Sequence, residues 1–268
     1  MVVTKVYGGL GNQMFQYAAG LGLAERLGTR LLVDASWFFP APDPDRSYEL
    51  SAFGIEPTIG LADRLRLALR RKTVHREPHY AYDPLLETLR GAVVLDGYWQ
   101  HERYFAHCAA AVREAFRFRQ ALPPGHARLL EEIEAEESVS LHVRRGDYTA
   151  PKRQRRFGLL PLAYYEAALA HIQERVPAAR FTVFSDDLDW CREHLGEERF
   201  RYCPAGTGAE DMRLMAACKH NIVANSSFSW WGAWLNPSPA KIVVAPKEWF
   251  QEPALKDASP APPAWIRL

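Results

Sequence analysis

The sequence has almost no net charge: 33 basic residues face 32 acidic ones, a formal +1 across 268 residues. No global field therefore draws the chain to nucleic acid or to an anionic membrane surface, and a polyanionic ligand must be held by a local cluster. Cysteine is scarce. Cys108, Cys191, Cys203 and Cys218 are scattered and form no C-x-x-C pair, which argues against a zinc site or a disulfide framework and suits a reducing compartment. There is no run of about 18 apolar residues, so the sequence offers no membrane span. Nor does a charged-then-apolar leader open it, because Met1 runs straight into Val2-Val3-Thr4-Lys5-Val6-Tyr7; a signal peptide is not expected. Lysine supplies only seven of the basic residues, and no function attaches to that bias. No internal repeat is visible.

What is present is the balance of a soluble globular protein, 48% hydrophobic and 24% charged, able to build a core without metal or disulfide. The length suits two domains. In the first half, Val2–Tyr7 reads as a buried strand that meets Gly8-Gly9-Leu10-Gly11, and a helical pattern follows from Met14 to Leu27 and stops at Gly28. Leu31-Leu32-Val33, ending at Asp34, and Val93-Val94-Leu95 are further strands of a parallel sheet. The Pro- and Asp-rich stretch 39–48 is an irregular loop. Leu65–Arg76 reads as a solvated basic helix with one core-facing stripe.

Pro123-Pro124-Gly125 and the acidic run Glu131–Glu137 read as a break. Beyond it come strands Val139–Val143, Phe181–Phe184, Ile222–Ala224 and Ile242–Val244, with helices around 164–173, 188–195 and 210–217. This alternation predicts an α/β chain of two Rossmann-like domains facing each other across a cleft, 1–125 and 126–268. The proline-rich tail 253–263 is expected to lie extended over the surface.

Three segments carry chemistry. His142-Val143-Arg144-Arg145-Gly146-Asp147-Tyr148 ends a buried strand, where open α/β sheets bind ligands. Two adjacent guanidiniums there are costly unless an anion or carboxylate faces them. Strand alternation points them oppositely, so one is free to fork onto a phosphate while the other pairs inside the domain, with Asp147 as one option. Asn225-Ser226-Ser227-Phe228 follows the strand Ile222–Ala224; serines at a helix start offer hydroxyls and N–H groups to a phosphate, or serve as a plain cap. Trp230 and Trp231 behind them read as core. Gly8-Gly9-Leu10-Gly11-Asn12-Gln13 resembles the dinucleotide fingerprint, and Asp34 imitates its ribose-binding acid. However, the third glycine, counted from Gly9, falls on Met14. The glycines more plainly allow a tight turn that projects Asn12 and Gln13 into the cleft. Asp186-Asp187-Leu188-Asp189 contains the D-x-D of metal-dependent sugar transferases, but capping and the helix dipole explain those acids as well.

Taken together, GGLGNQMFQYA (8–18), LDGYWQ (95–100), HVRRGDY (142–148), FSDD (184–187) and EDMRLMAACKHNIVANSSFSWWGAWLN (210–236) resemble the bacterial α-1,2-fucosyltransferases of glycosyltransferase family 11. The resemblance implies the glycosyltransferase-B fold and an inverting, metal-independent transfer of L-fucose from GDP-fucose, with no cofactor, to a galactoside hydroxyl of a surface glycan or its precursor. It makes Arg144 the β-phosphate ligand, His142 and Asp211 guanine ligands, and Ser226 and Ser227 phosphate ligands. Arg145, Asp186, Asn225 and Phe228 join the donor side, Gly11, Asn12 and Gln13 the acceptor side, and Asp147 is structural. Where some relatives carry a glutamate base, this chain has Lys152, and Lys152–Arg156 is left as an acceptor loop. Asp34, Asp96 and His101 are candidate bases; the expectation is that no single carboxylate is essential and that Asn12 orients the hydroxyl. A bacterial cytoplasmic enzyme is implied, with a lipid-linked acceptor and peripheral contact with the inner membrane left open. The competing readings are an NAD(P)-dependent oxidoreductase and a non-catalytic glycan-binding module.

Overall fold

Val2 and Val3 are fully buried although they are adjacent, so the strand they begin, β1 (Val2–Lys5), has both faces covered, as parallel strands do. The computed structural model describes residues 1–39, 43, 46–60, 62–63, 72–196, 198–256 and 258–268. They form two units, Met1–Gln120 and Ala121–Leu268. A boundary after residue 125 would fall inside the first helix of the second unit.

In the first unit β1 lies between β2 (Leu31–Asp34) and β4 (Ala92–Asp96), with β3 (Lys72–Arg76) at the edge, giving the parallel order β2-β1-β4-β3. Helix α1 (Leu10–Arg26) connects β1 to β2. Strand order reverses between β1 and β4, which places the loops after those two strands at the crevice where such sheets bind ligands. β3 corrects the sequence reading of 65–76. Residues 64–71 lie outside the described residues, and 72–76 form a strand, paired from Lys72↔Ala92 to Arg76↔Asp96. Its exposed Lys72, Val74 and Arg76 suit a sheet edge that charge protects from further pairing. A short helix, α2 (Ala109–Ala115), follows β4.

The second unit begins with α3 (Pro124–Ala135). The acidic run expected as a linker is largely in this helix: His126, Leu129 and Ile133 bury one face while the glutamates line the other. β5 (Ser138–Val143), β6 (Arg180–Ser185), β7 (Phe200–Tyr202), β8 (His220–Ile222), β9 (Val243–Ala245) and β10 (Ile266–Arg267) form one parallel sheet in the order β10-β9-β8-β5-β6-β7. Its helices are α4 (Pro151–Phe157), α5 (Leu162–Arg175), α6 (Leu188–Leu195), α7 (Gly208–Ala217) and α8 (Ser227–Leu235). Here the order reverses between β5 and β8. Among the described residues no helix is long and apolar enough to cross a membrane.

The tail corrects another expectation. Ala258 and Ala261 are buried, β10 adds a strand beside β9, and Trp265 packs 5.6 Å from Trp230. Trp230 itself is fully buried and donates its indole N–H to the Pro260 carbonyl at 2.9 Å. Proline restricts the backbone but does not exclude burial, and the indole supplies the one hydrogen bond the carbonyl needs. Trp265→Ala should therefore cost about 3–5 kcal/mol in urea unfolding of this unit; an unchanged midpoint would return the tail to the surface.

Candidate active site

The two motifs expected on the donor side follow the strands that flank the reversal in the second sheet: His142–Tyr148 runs on from β5, and Asn225–Phe228 follows β8. The Arg144 guanidinium is held from two sides, by Asp147 Oδ1 at 2.5 Å and Asp186 Oδ2 at 2.7 Å. Arg145 turns elsewhere. Its Nε meets Asp187 Oδ2 at 3.1 Å, its guanidinium lies 4.0 Å over the Trp190 ring, and its backbone N–H donates to Asp186 Oδ1 at 2.9 Å. The partner of Asp147 is thus Arg144, not Arg145, and the two arginines diverge just after the strand rather than within it. Gly146 makes the arrangement possible, since a Cβ there would lie 2.3 Å from Asp186 Oδ2.

The D-x-D acids have these duties. Asp186 and Asp187 face the arginines, Asp187 also caps α6 through the Trp190 N–H, and Asp189 pairs with Arg192. Lys152–Arg156, expected as an acceptor loop, is helix α4, begun by Pro151; Arg153 of that helix meets Asp147 Oδ2 at 3.2 Å.

His142 is 4% exposed, and its Nδ1 is buried with no hydrogen-bond partner among the described residues. Burial, helped by Arg144, holds its pKa down at about 3, so the ring is neutral and sits 5.6 Å from Phe228. Asp211, on α7, is pushed up to about 6 by burial, against the lowering pull of Cys203 and His126. Cys203 Sγ donates to Asp211 Oδ1 at 3.4 Å and His126 Nε2 lies 3.8 Å from it. Among the described residues these three form the group that could hold a metal ion. Burial and Asp211 raise the Cys203 thiol, which keeps it protonated and accounts for the close approach as a hydrogen bond. The sequence reading set Cys203 aside with the other scattered cysteines, though it stands only eight residues before Asp211, and His126 escaped it because it lies on α3, far from Asp211 in the sequence.

Around the second motif, Asn225 is 1% exposed and its amide donates to Phe157 O at 2.7 Å. It braces the backbone beside α4 rather than opening toward solvent. Ser226 caps α8, its Oγ accepting the Phe228 N–H at 3.3 Å. Ser227 opens the helix and is partly exposed, with the positive end of the helix behind it. Tyr148 ties the two motifs together, its hydroxyl donating to Asn225 O at 3.2 Å. Trp230 and Trp231 are fully buried core.

In the first unit, Gly11, Asn12 and Gln13 form the first turn of α1. Asn12 Oδ1 accepts from Gln100 Nε2 at 2.7 Å, linking the loops after β1 and β4 across their reversal. Gln13 does not project. It is fully buried, donating to Gly8 O and Ser47 O and accepting the Glu49 N–H; Gly11 is also buried. Asp34 accepts the Ser36 N–H, and Asp96 pairs with Lys5 Nζ at 2.8 Å. Burial lowers His101 to about 4. The loop after β4 is braced by Glu77, which the sequence reading passed over: its carboxylate accepts the N–H groups of Tyr98 at 2.7 Å and Trp99 at 2.9 Å. Burial, opposed by those bonds, pushes Glu77 up to about 7.

Residues 92–268 match the profile of "Glycosyl transferase family 11". An Escherichia coli protein named alpha-1,2-colitosyltransferase is 31% identical, covering 100% of this chain and 99% of its own length. A galactoside alpha-(1,2)-fucosyltransferase 1 of Ateles belzebuth is 28% identical over 85% of this chain and 63% of its own. In fold, the chain is similar to an Arabidopsis thaliana FUT1 mutant in complex with GDP, with a TM-score of 0.50 at 11% identity, covering 91% of this chain and 70% of that one.

The clamp on Arg144 generates a test. In Gly146→Ala the new methyl must displace Asp186, which is not a loose side chain because Arg144 and the Arg145 N–H hold it. A loss of about 1–3 kcal/mol in denaturant unfolding is expected. Wild-type stability would show that the close approach is not required.

Proposed function

The chain belongs to glycosyl transferase family 11, and on that premise we propose that it moves L-fucose from GDP-fucose to a galactoside hydroxyl, forming an α-1,2 linkage. The family placement overturns the oxidoreductase alternative, and the buried Met14 at the third-glycine position agrees. The observation that carries the donor side is the clamped Arg144 at the strand-order reversal. Two carboxylates engage it, but a guanidinium has five N–H groups, so the fork keeps donors for phosphate oxygens while its orientation is fixed. Breaking the fucose–phosphate bond leaves an extra negative charge on the β-phosphate. A preorganised guanidinium stabilises that charge, a contribution of about 3–4 kcal/mol for one such donor.

The other roles follow the same reading. Neutral His142 and Asp211 meet the guanine, and Ser226, Ser227 and the start of α8 meet phosphate, with Arg145, Asp186 and Asn225 shaping that wall and Phe228 packed on His142. Asn12, held by Gln100, orients the acceptor hydroxyl, with Gly11 and Gln13 fixing its turn; Asp147 is structural. The acceptor is a surface glycan or its precursor, free or on a lipid carrier, and the reaction proceeds by inversion without metal in a bacterial cytoplasm. A second donor is supported by the colitosyltransferase relative that matches the whole chain. Colitose is fucose without its 3-hydroxyl, so a donor site need differ only around that position.

The experiment is turnover of GDP-fucose and GDP-colitose against a panel of β-galactosides in excess EDTA, with the linkage read by NMR. Transfer from GDP-fucose to O2 of galactose, undiminished by EDTA, is expected. Exclusive use of GDP-colitose would reassign the donor. Loss on chelation with recovery in Mg²⁺ would overturn the arginine-for-metal account, and no transfer from either donor would overturn the function.

A further inference from the structure

Glu77 stands immediately after β3, at the carboxyl edge of the first sheet. The fold goes to some length to seat it. Its two oxygens accept successive N–H groups, from Tyr98 and Trp99, and Trp99 adopts a φ of 54°, which among the described residues no other non-glycine residue shares in sign. For a bulky residue that conformation costs roughly 1–3 kcal/mol and persists only where its surroundings enforce it, commonly at functional sites. Trp99 is fully buried and stacks on His75 with ring centroids 5.5 Å apart. Gly97 leaves the room, since a Cβ there would lie 2.3 Å from the Glu77 Cβ.

Aromatic rings surround this edge, one from the segment after each strand: Tyr7 after β1, Trp37 after β2, Tyr80 after β3 and Tyr98 after β4. Tyr7 and Tyr98 meet edge-on at 5.2 Å, Tyr80 stacks on Tyr98 at 5.9 Å, and Trp37 lies 6.3 Å from Tyr7. All four are partly exposed. A contiguous set of half-exposed rings presents apolar surface with polar tips, which suits the C–H face of a pyranose ringed by hydroxyls. The other acids at this edge are committed: Asp96 to Lys5, Asp83 to His75 and the Leu85 N–H, and Asp34 to Ser36. Glu77 makes no ion pair among the described residues.

We propose that Tyr7, Trp37, Tyr80 and Tyr98 form the acceptor-sugar subsite and that the Glu77 carboxylate takes the proton from the acceptor hydroxyl. This rests on the sugar-transfer reading above. As the hydroxyl O–H bond breaks toward Glu77, its oxygen pair forms the bond to C1 of the donor sugar. The C1–O bond to the β-phosphate breaks, and its electron pair leaves with GDP. No oxidant, reductant or further reactant is needed. The assignment replaces the expectation that no carboxylate is essential, and Asn12 keeps its orienting role. Glu77 is faced by Tyr7, His79, Asp83 and Tyr104, with Asp96 next to it. Its elevation to about 7 by burial leaves much of it ionised near neutrality and strong enough as a base to hold the proton. Because the ionised form is the active one, activity must rise with pH through that value.

The test compares wild type with E77Q, E77A and Tyr98→Ala. Wild-type kcat/KM for the galactoside should show an acid limb centred at about 7. E77Q should lose about a hundredfold or more in kcat and lose that limb, while calorimetric GDP affinity stays within about twofold of wild type, and formate should partly restore E77A. An E77Q enzyme that keeps wild-type turnover, or keeps the acid limb without formate rescue of E77A, overturns the assignment and leaves Glu77 a brace for the Trp99 turn. Should E77Q lose its cooperative melt, Tyr98→Ala decides: a rise of about tenfold in acceptor KM with kcat and GDP affinity little changed is expected, and an unchanged KM overturns the subsite. A wild-type enzyme that transfers no sugar fails the functional reading itself, whereas equal turnover by wild type and E77Q fails only this inference.

Discussion

The clamp of Asp147 and Asp186 on Arg144 is the constraint on which the second unit's site depends. A guanidinium at the end of a buried strand needs a counter-charge before any ligand arrives, or the strand end would be destabilised. Two carboxylates meet that need and, because they grip different nitrogens, also fix the plane of the fork. The rest follows. Gly146 must lack a side chain so that Asp186 can approach, Asp186 in turn receives the Arg145 N–H, and Arg145 is turned onto Asp187 and Trp190. Tyr148 carries the arrangement to the serine motif through Asn225. Preorganisation of this kind is what makes a fixed cation effective against charge that appears only during reaction.

In the first unit no arginine is clamped in this way at the strand-order reversal among the described residues. Its reversal point is bridged by the Asn12–Gln100 hydrogen bond, and the neighbouring turn is held by one carboxylate accepting two backbone N–H groups. On the proposed reading, a cationic anchor suits an anionic ligand and a neutral bridge beside aromatic rings suits an uncharged sugar. On the same reading, this difference in chemistry between two crevices built on similar parallel sheets is how the units would divide donor and acceptor binding.

Much of this was legible in the sequence. Strands buried on both faces announce themselves as continuous apolar runs, as in Val93–Leu95, and Trp230 and Trp231 read correctly as core because two adjacent indoles seldom both find solvent partners. What escaped depended on contacts distant in sequence. Nothing local tells that Arg144 rather than Arg145 takes Asp147, since the strand ends at Val143, before both arginines. Gln13 was expected to project because it follows Asn12, but a helical turn points the two in different directions. Glu77 stands one residue past the stretch 65–76 read as helix and carries no motif of its own; its significance comes from Tyr98 and Trp99 more than 20 residues away. The proline-rich tail misled because proline reports on backbone conformation and not on burial.

The central claim is that Arg144 reads the β-phosphate, and binding measures it without the complications of turnover. Calorimetry of GDP and GMP with wild type and Arg144→Lys isolates the contribution, because the two ligands differ only in that phosphate and lysine keeps the charge while losing the fork. Wild type should prefer GDP over GMP by at least about tenfold, roughly 1.4 kcal/mol, and the preference should shrink to a few-fold in Arg144→Lys while GMP affinity is retained. An unchanged preference in the variant would contradict the account.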